Sequence, residues 1–196
     1  RRVGDIRQRL GRHEQAIESY DQSLTMYDQL VERFPEEKPQ LTIVQARILN
    51  GIGTSHRMIN RQEKAAEAHQ LALDTLNTLA EKSLAEPEAQ FELARSHYLL
   101  AFRLRPGEGP VDEDSALVLP EDVDAGPQGP GGRGDGPRFG PPDGQRQRNP
   151  AAVHQNATGE RAAHFQRAVS ILTQLRKQNP DEARFTYLLA ISLREW

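Results

Sequence analysis

Three pairs of arginines share one spacing: Arg47 with Arg57, Arg95 with Arg105, and Arg184 with Arg194 are each ten residues apart. Ten residues of helix rise about 15 Å, so each pair marks two points along one helix. Three such helices side by side would carry two rows of guanidinium groups. Asn50, Tyr98 and Tyr187 each follow the first arginine of a pair by three residues and supply hydrogen bonding and stacking at an intermediate point. A guanidinium is a planar fork that fits carboxylate or phosphate, so such rows, if they shared one face, would favour an acidic or phosphorylated segment. The competing reading is that the arginines pair with Glu or Asp of a neighbouring unit, or stay solvated.

Other chemistry is poorly represented. The chain has no cysteine, which excludes disulfides, thiolate zinc sites and thiol nucleophiles. His13, His56, His69, His97, His154 and His164 never fall at paired metal-ligand spacing with a carboxylate, and packing accounts for them better. No Gly-rich phosphate loop follows a strand, and no serine lies in a strand-turn-helix setting. The sequon at Asn156 and the Arg133-Gly134-Asp135 triplet are short patterns expected by chance. The expectation is a chain with no catalytic residue, no metal and no cofactor.

The elements that must position the arginines are helices. Of the 196 residues 36% are apolar, and the formal charge is -3 from 25 basic and 28 acidic side chains. This balance lacks the basic excess of nucleic-acid binders. Nor is there an apolar run of the roughly 20 residues a membrane span needs. The first residues show neither an initiator Met nor a signal-peptide core, as expected of an excised piece of a longer protein; the compartment stays open, with the cytoplasm as default.

Ala16, Ile17, Tyr20, Leu24, Tyr27, Val31 and Phe34 recur at helical steps up to Pro35. A second helix opens near Pro39 and carries Leu41, Val44, Ile48, Ile52, Ser55 and Ile59, with Ser55 the polar member of its stripe. After Asn60 a third helix presents Ala65, Ala68, Ala72, Leu76 and Leu79; Pro87 precedes a fourth, predicted from Glu88 to Arg105. Short connections predict antiparallel neighbours, and nothing alternates with a strand's period. Between Pro106 and Pro150 fall 9 of the 13 prolines and 10 of the 15 glycines. Such a segment cannot offset the entropy of ordering its backbone, so disorder is expected over 106–156. Helix resumes near Ala157, stops at Asn179-Pro180, and a last helix begins near Glu182.

The chain also repeats itself. Val3-Gly4, Leu10-Gly11-Arg12, Ala16, Tyr20 and Ser23-Leu24 match Ile52-Gly53, Ile59-Asn60-Arg61, Ala65, His69 and Ala72-Leu73 at a period of 49 residues. The small residues of each set let two helices approach closely. Tyr98-Leu99-Leu100-Ala101 similarly matches Tyr187-Leu188-Leu189-Ala190. From Ala72 to Ala168 is 47 residues more than one period, nearly the length of the Pro/Gly segment. That segment therefore reads as an insertion in the turn of a third repeat, tolerable because loop-closure cost grows only logarithmically.

At these residues the chain resembles the tetratricopeptide repeat, with both helices longer than in the usual unit of about 34 residues. The resemblance, over residues 3–105 and 157–196, is to the long repeat tracts attached to bacterial serine/threonine protein kinases. It implies an all-α solenoid of antiparallel helix pairs with a disordered Pro/Gly-rich insertion: repeats 1 and 2 and helix A of repeat 3 in 1–105, the insertion in 106–156, and helix B of repeat 3 with a further helix A in 157–196. It further implies that helices A line a concave groove holding a partner's peptide segment, which puts the arginines, Asn50, Tyr98 and Tyr187 in that groove. The expected role is non-catalytic protein interaction, with no nucleic acid and no membrane span. Two alternatives accompany it: a regulatory fragment of a kinase or other signalling protein whose catalytic domain lies elsewhere in the parent, and a self-assembly module. The acidic stretch Glu108 to Asp124 is a further candidate, as an internal competitor for the arginines.

Overall fold

The computed structural model describes residues 1–79, 81–103 and 150–196; Arg105, the segment expected to be disordered and its acidic stretch lie outside the described residues, apart from 150–156. The described chain is helical: α1 (Arg2–Arg9), α2 (His13–Arg33), a 3₁₀ turn (Pro35–Glu37), α3 (Lys38–Met58), α4 (Gln62–Asn77), α5 (Glu81–Leu84), α6 (Pro87–Arg103), α7 (Pro150–Gln178) and α8 (Ala183–Glu195). Breaks fall where the sequence placed them. Pro35 ends α2, Asn60 takes φ 60° after α3, and Gly11 takes φ 69° after α1, the left-handed geometry that Gly and Asn adopt at helix ends.

Two details differ from expectation. Helix α7 begins at Pro150, ahead of Ala157; a proline at a helix start lacks only an N–H that would be unsatisfied anyway. The short α5 had no sequence signal of its own.

Each helix packs on the next, α1 on α2, α2 on α3, α3 on α4, α4 on α6, α6 on α7 and α7 on α8; alternate helices also meet, α1 with α3, α3 with α6 and α6 with α8. This is an all-α, tetratricopeptide-like solenoid. In the alignment of the sequence with itself, α1, α3, α6 and α8 stand at the helix A place and α2, α4 and α7 at the helix B place.

Two apolar cores result. Ala16, Tyr20, Ile48, Ala72 and Leu76 centre one between α2, α3 and α4. Phe91, Tyr98, Phe165, Leu172 and Phe185 centre the other between α6, α7 and α8. The small residues of the repeat act as the alignment implied. A Cβ on Gly4 would stand 2.6 Å from the Tyr20 ring, and one on Gly53 would stand 2.5 Å from the His69 ring. Ser55 is fully buried and receives the Gln8 amide at 2.9 Å, tying α1 to α3.

Candidate functional site

Arg47 lies in the middle of α3, Arg95 in the middle of α6 and Arg184 in the first turn of α8. Because these three helices A are neighbours, their arginines meet, and they meet around carboxylates. Glu88, in the first turn of α6 where the helix dipole favours an acid, bonds Arg47 with one oxygen and Arg184 Nη2 with the other, at 2.8 Å for the latter. Glu92, one turn on, accepts from Arg47 Nε at 2.6 Å and faces Arg95 at 3.5 Å through its second oxygen. Arg184 also bonds Glu182 at 3.1 Å. Its guanidinium lies 5.2 Å from the Phe91 ring centroid and 5.0 Å from that of Phe185, a cation–π arrangement on both rings.

Burial grades the cluster. The Glu92 side chain is 1% exposed, those of Arg95 and Arg184 16%, that of Arg47 24% and that of Glu88 36%. Burial disfavours the Arg47 charge, yet Glu92 and then Glu88 outweigh it and raise the pKa above the ordinary arginine value. Partial burial works against the Glu88 carboxylate, but Arg184 and Arg47 hold it below its usual range. Each shift favours the charged form of its group, and the three arginines face Glu88, Glu92 and Glu182.

The other residues singled out from sequence are placed differently. Asn50 is fully buried: His69 Nδ1 lies 3.1 Å from its Oδ1, its amide donates to Ser96 Oγ at 2.9 Å, and Ser96 donates to the Glu92 carbonyl at 3.0 Å. This chain of bonds joins α4, α3 and α6. Tyr98 is 1% exposed, with ring centroids of Phe102 at 5.7 Å and Phe165 at 6.1 Å. The expectation that Asn50 and Tyr98 line a groove is thus corrected: their helix faces turn inward to helix B, and they offer a ligand no surface. Tyr187 is partly buried against the C-terminal core. Arg57 lies over Phe102 at 5.2 Å, and Arg194 pairs with Glu195 at 2.9 Å. The first arginine row converges; Arg105, of the second, lies outside the described residues.

Glu88, Glu92 and Glu182 were missed by the search for basic rows. Glu92 carried a signal: it stands in register with Ala89, Ser96 and Leu99 on the buried stripe of α6, where an acid needs a cationic partner. Among the described residues no group of three or more His, Asp or Glu side chains could hold a metal ion, and no helix is long and apolar enough to cross a membrane. Models of the tetratricopeptide repeat match residues 2–29, covering α1 and most of α2, and residues 160–195, covering most of α7 with α8. No curated protein and no solved structure matches the chain.

Proposed function

We propose that the joined face of α1, α3, α6 and α8 receives a peptide segment of a partner protein, with acidic side chains favoured; tetratricopeptide repeats, whose models match two stretches of the chain, in general form protein-interaction modules. The observation that supports this reading is the convergence of Arg47, Arg95 and Arg184 from three successive helices A. A partner lying across these helices would meet a place where successive units present fixed, partly exposed guanidinium groups. Repeats of this kind typically serve as non-catalytic scaffolds, and the binding of the segment is the whole of the mechanism here: it is held across units, with no bond made or broken.

The test is selection from a displayed random-peptide library on the wild-type chain and on a variant carrying Arg95→Gln and Arg184→Gln, which leaves Arg47 on Glu92. Asp- and Glu-rich peptides enriched on the first and lost on the second support the reading. The same peptides on both would move the interaction surface elsewhere.

A second reading, self-assembly, draws on exposed apolar side chains: Val3 and Ile6 on α1, Leu10 just after it, and Leu193 and Trp196 at α8, each more than half exposed. A molar mass that rises over a concentration series in light scattering would favour it. The regulatory-fragment reading uses the same face, with a kinase domain of the parent protein as the regulated partner.

A further inference from the structure

Glu88 is held unlike any other acid of the cluster. Its two oxygens are divided between Arg47 of α3 and Arg184 of α8, helices A that flank α6 on opposite sides. Each arginine keeps a separate anchor: Arg47 Nε on Glu92 at 2.6 Å, and Arg184 Nε on Glu182 at 3.1 Å with its plane over Phe91 and Phe185. Take the Glu88 carboxylate away and two guanidinium groups remain, fixed by other contacts and facing one vacated seat. That is a two-armed cradle of the width of one carboxylate. Glu92, at 1% exposure, cannot leave it; Glu88, at 36%, can turn out to solvent.

We propose that Glu88 is a built-in stand-in for the partner's carboxylate, occupying the Arg47–Arg184 cradle in the free protein and yielding it to an Asp or Glu side chain of the bound segment. The inference rests on the groove reading above and adds how that site is regulated. An internal carboxylate competes at the high effective concentration of an intramolecular contact, so an incoming carboxylate must displace it, and the ligand is discriminated by the contacts it makes beyond the cradle. A weakly acidic passer-by gains nothing from exchanging one carboxylate for another. A segment that also engages the neighbouring helices does, and on binding it links α3 to α8 as Glu88 did.

The experiment measures binding of a fluorescein-labelled hexaglutamate peptide by anisotropy at low salt to the wild-type chain, to Glu88→Gln and to Glu88→Asp, with helical content and melting checked for each. Glu88→Gln frees the cradle and is expected to tighten binding about tenfold, roughly 1.4 kcal/mol. Glu88→Asp keeps the net charge but, one methylene shorter, cannot span both guanidiniums, so it is expected to tighten binding as well. Adding Arg184→Gln to Glu88→Gln should abolish the gain. Unchanged affinity in Glu88→Gln overturns the proposal, as does a gain in Glu88→Gln that Glu88→Asp lacks, because net charge then suffices. Absence of binding to all three chains overturns it too. If library-selected peptides depend on Arg184 but not on Glu88, the groove reading stands and the stand-in alone falls.

Discussion

The two halves of the solenoid solve one packing problem with different chemistry. In the first two repeats a glycine of helix A lies against a polar ring of helix B: Gly4 against Tyr20, and Gly53 against His69. Each ring is then tied by hydrogen bonds, Tyr20 Oη to Asp5 at 2.8 Å and His69 to Asn50 at 3.1 Å. At the matching place of the third repeat stands Phe165, buried with Ala101, Tyr98 and Phe102 in an aromatic core and covered by Arg161 at 5.2 Å. At this place the first two repeats are specified by close approach and directed bonds, the third by volume. Between them run the Arg47–Glu92 ion pair and the Asn50–Ser96 bond, so the cores are joined by a polar seam. Directed bonds fix the register between units in a way that apolar contact alone does not.

The largest break in this comparison is Phe165→Ala. It opens a cavity in the half that depends on volume, and the expected loss is about 3–5 kcal/mol, read as a lowered denaturation midpoint.

Gly53→Ala probes close approach. Alanine favours a helix by about 1 kcal/mol over glycine, but its Cβ would fall 2.5 Å from a ring that is 2% exposed. Overpacking of this kind leaves a net loss of up to about 3 kcal/mol. Stabilisation on that substitution would mean that His69 can withdraw, and that the tight contact does not specify the first core.

Much of this was legible in the sequence, and for a definite reason. A repeat compares the chain with itself, so Gly4 and Gly53 were identified as close-approach positions before any contact was seen, and Pro35, Asn60 and Pro87 marked true breaks. The site was legible only in part. Ten-residue spacing locates Arg47 and Arg184 on helices, but it says nothing of what faces them from the next helix. Whether an arginine meets a ligand or Glu88 is decided by the rotation of α6 against α3 and α8, which emerges from packing. Asn50 was misplaced for the same reason: a polar side chain three residues from Arg47 reads as surface, while its helix turns it inward to His69.

Acid should act on both halves. His97 of α6 and His164 of α7 meet through their Nδ1 atoms at 2.8 Å, ring centroids 5.1 Å apart, so one ring donates and the other accepts. Burial, then His164 and Arg167, push the His97 pKa down to about 4, and burial with Arg167 lowers that of His164, against an opposing pull from Glu160. Both rings are neutral in the folded chain and charge readily in the unfolded one. Their contribution is therefore complete above the ordinary histidine range and is lost as pH falls from about 6.5 toward 4. For His97 alone the loss is about 2 kcal/mol by pH 5, measured as the pH slope of the denaturation midpoint. His97→Phe should flatten that slope. Buried His69 is likewise held neutral, mainly by burial and then by Arg57 and Arg95, and it adds the same sign from the first half.

The smallest expected effect is the sharpest test of directed bonding. Tyr20→Phe keeps the ring against Gly4 and Gly51 and removes one hydroxyl, whose proton goes to Asp5 at 2.8 Å. Burial, reinforced by the Asp5 charge, raises the Tyr20 pKa far above its ordinary value, so the group is a neutral donor throughout the accessible range. Asp5 retains Arg1 at 3.2 Å, and the carboxylate is not stranded. The expected cost is about 1 kcal/mol, against the several expected at Phe165. If Tyr20→Phe costs nothing while Phe165→Ala costs its full amount, the first repeat is held by shape alone, and the chemical difference between the halves is ornamental. If instead the hydroxyl contributes measurably, directed bonds are what keep α1 in register with α2.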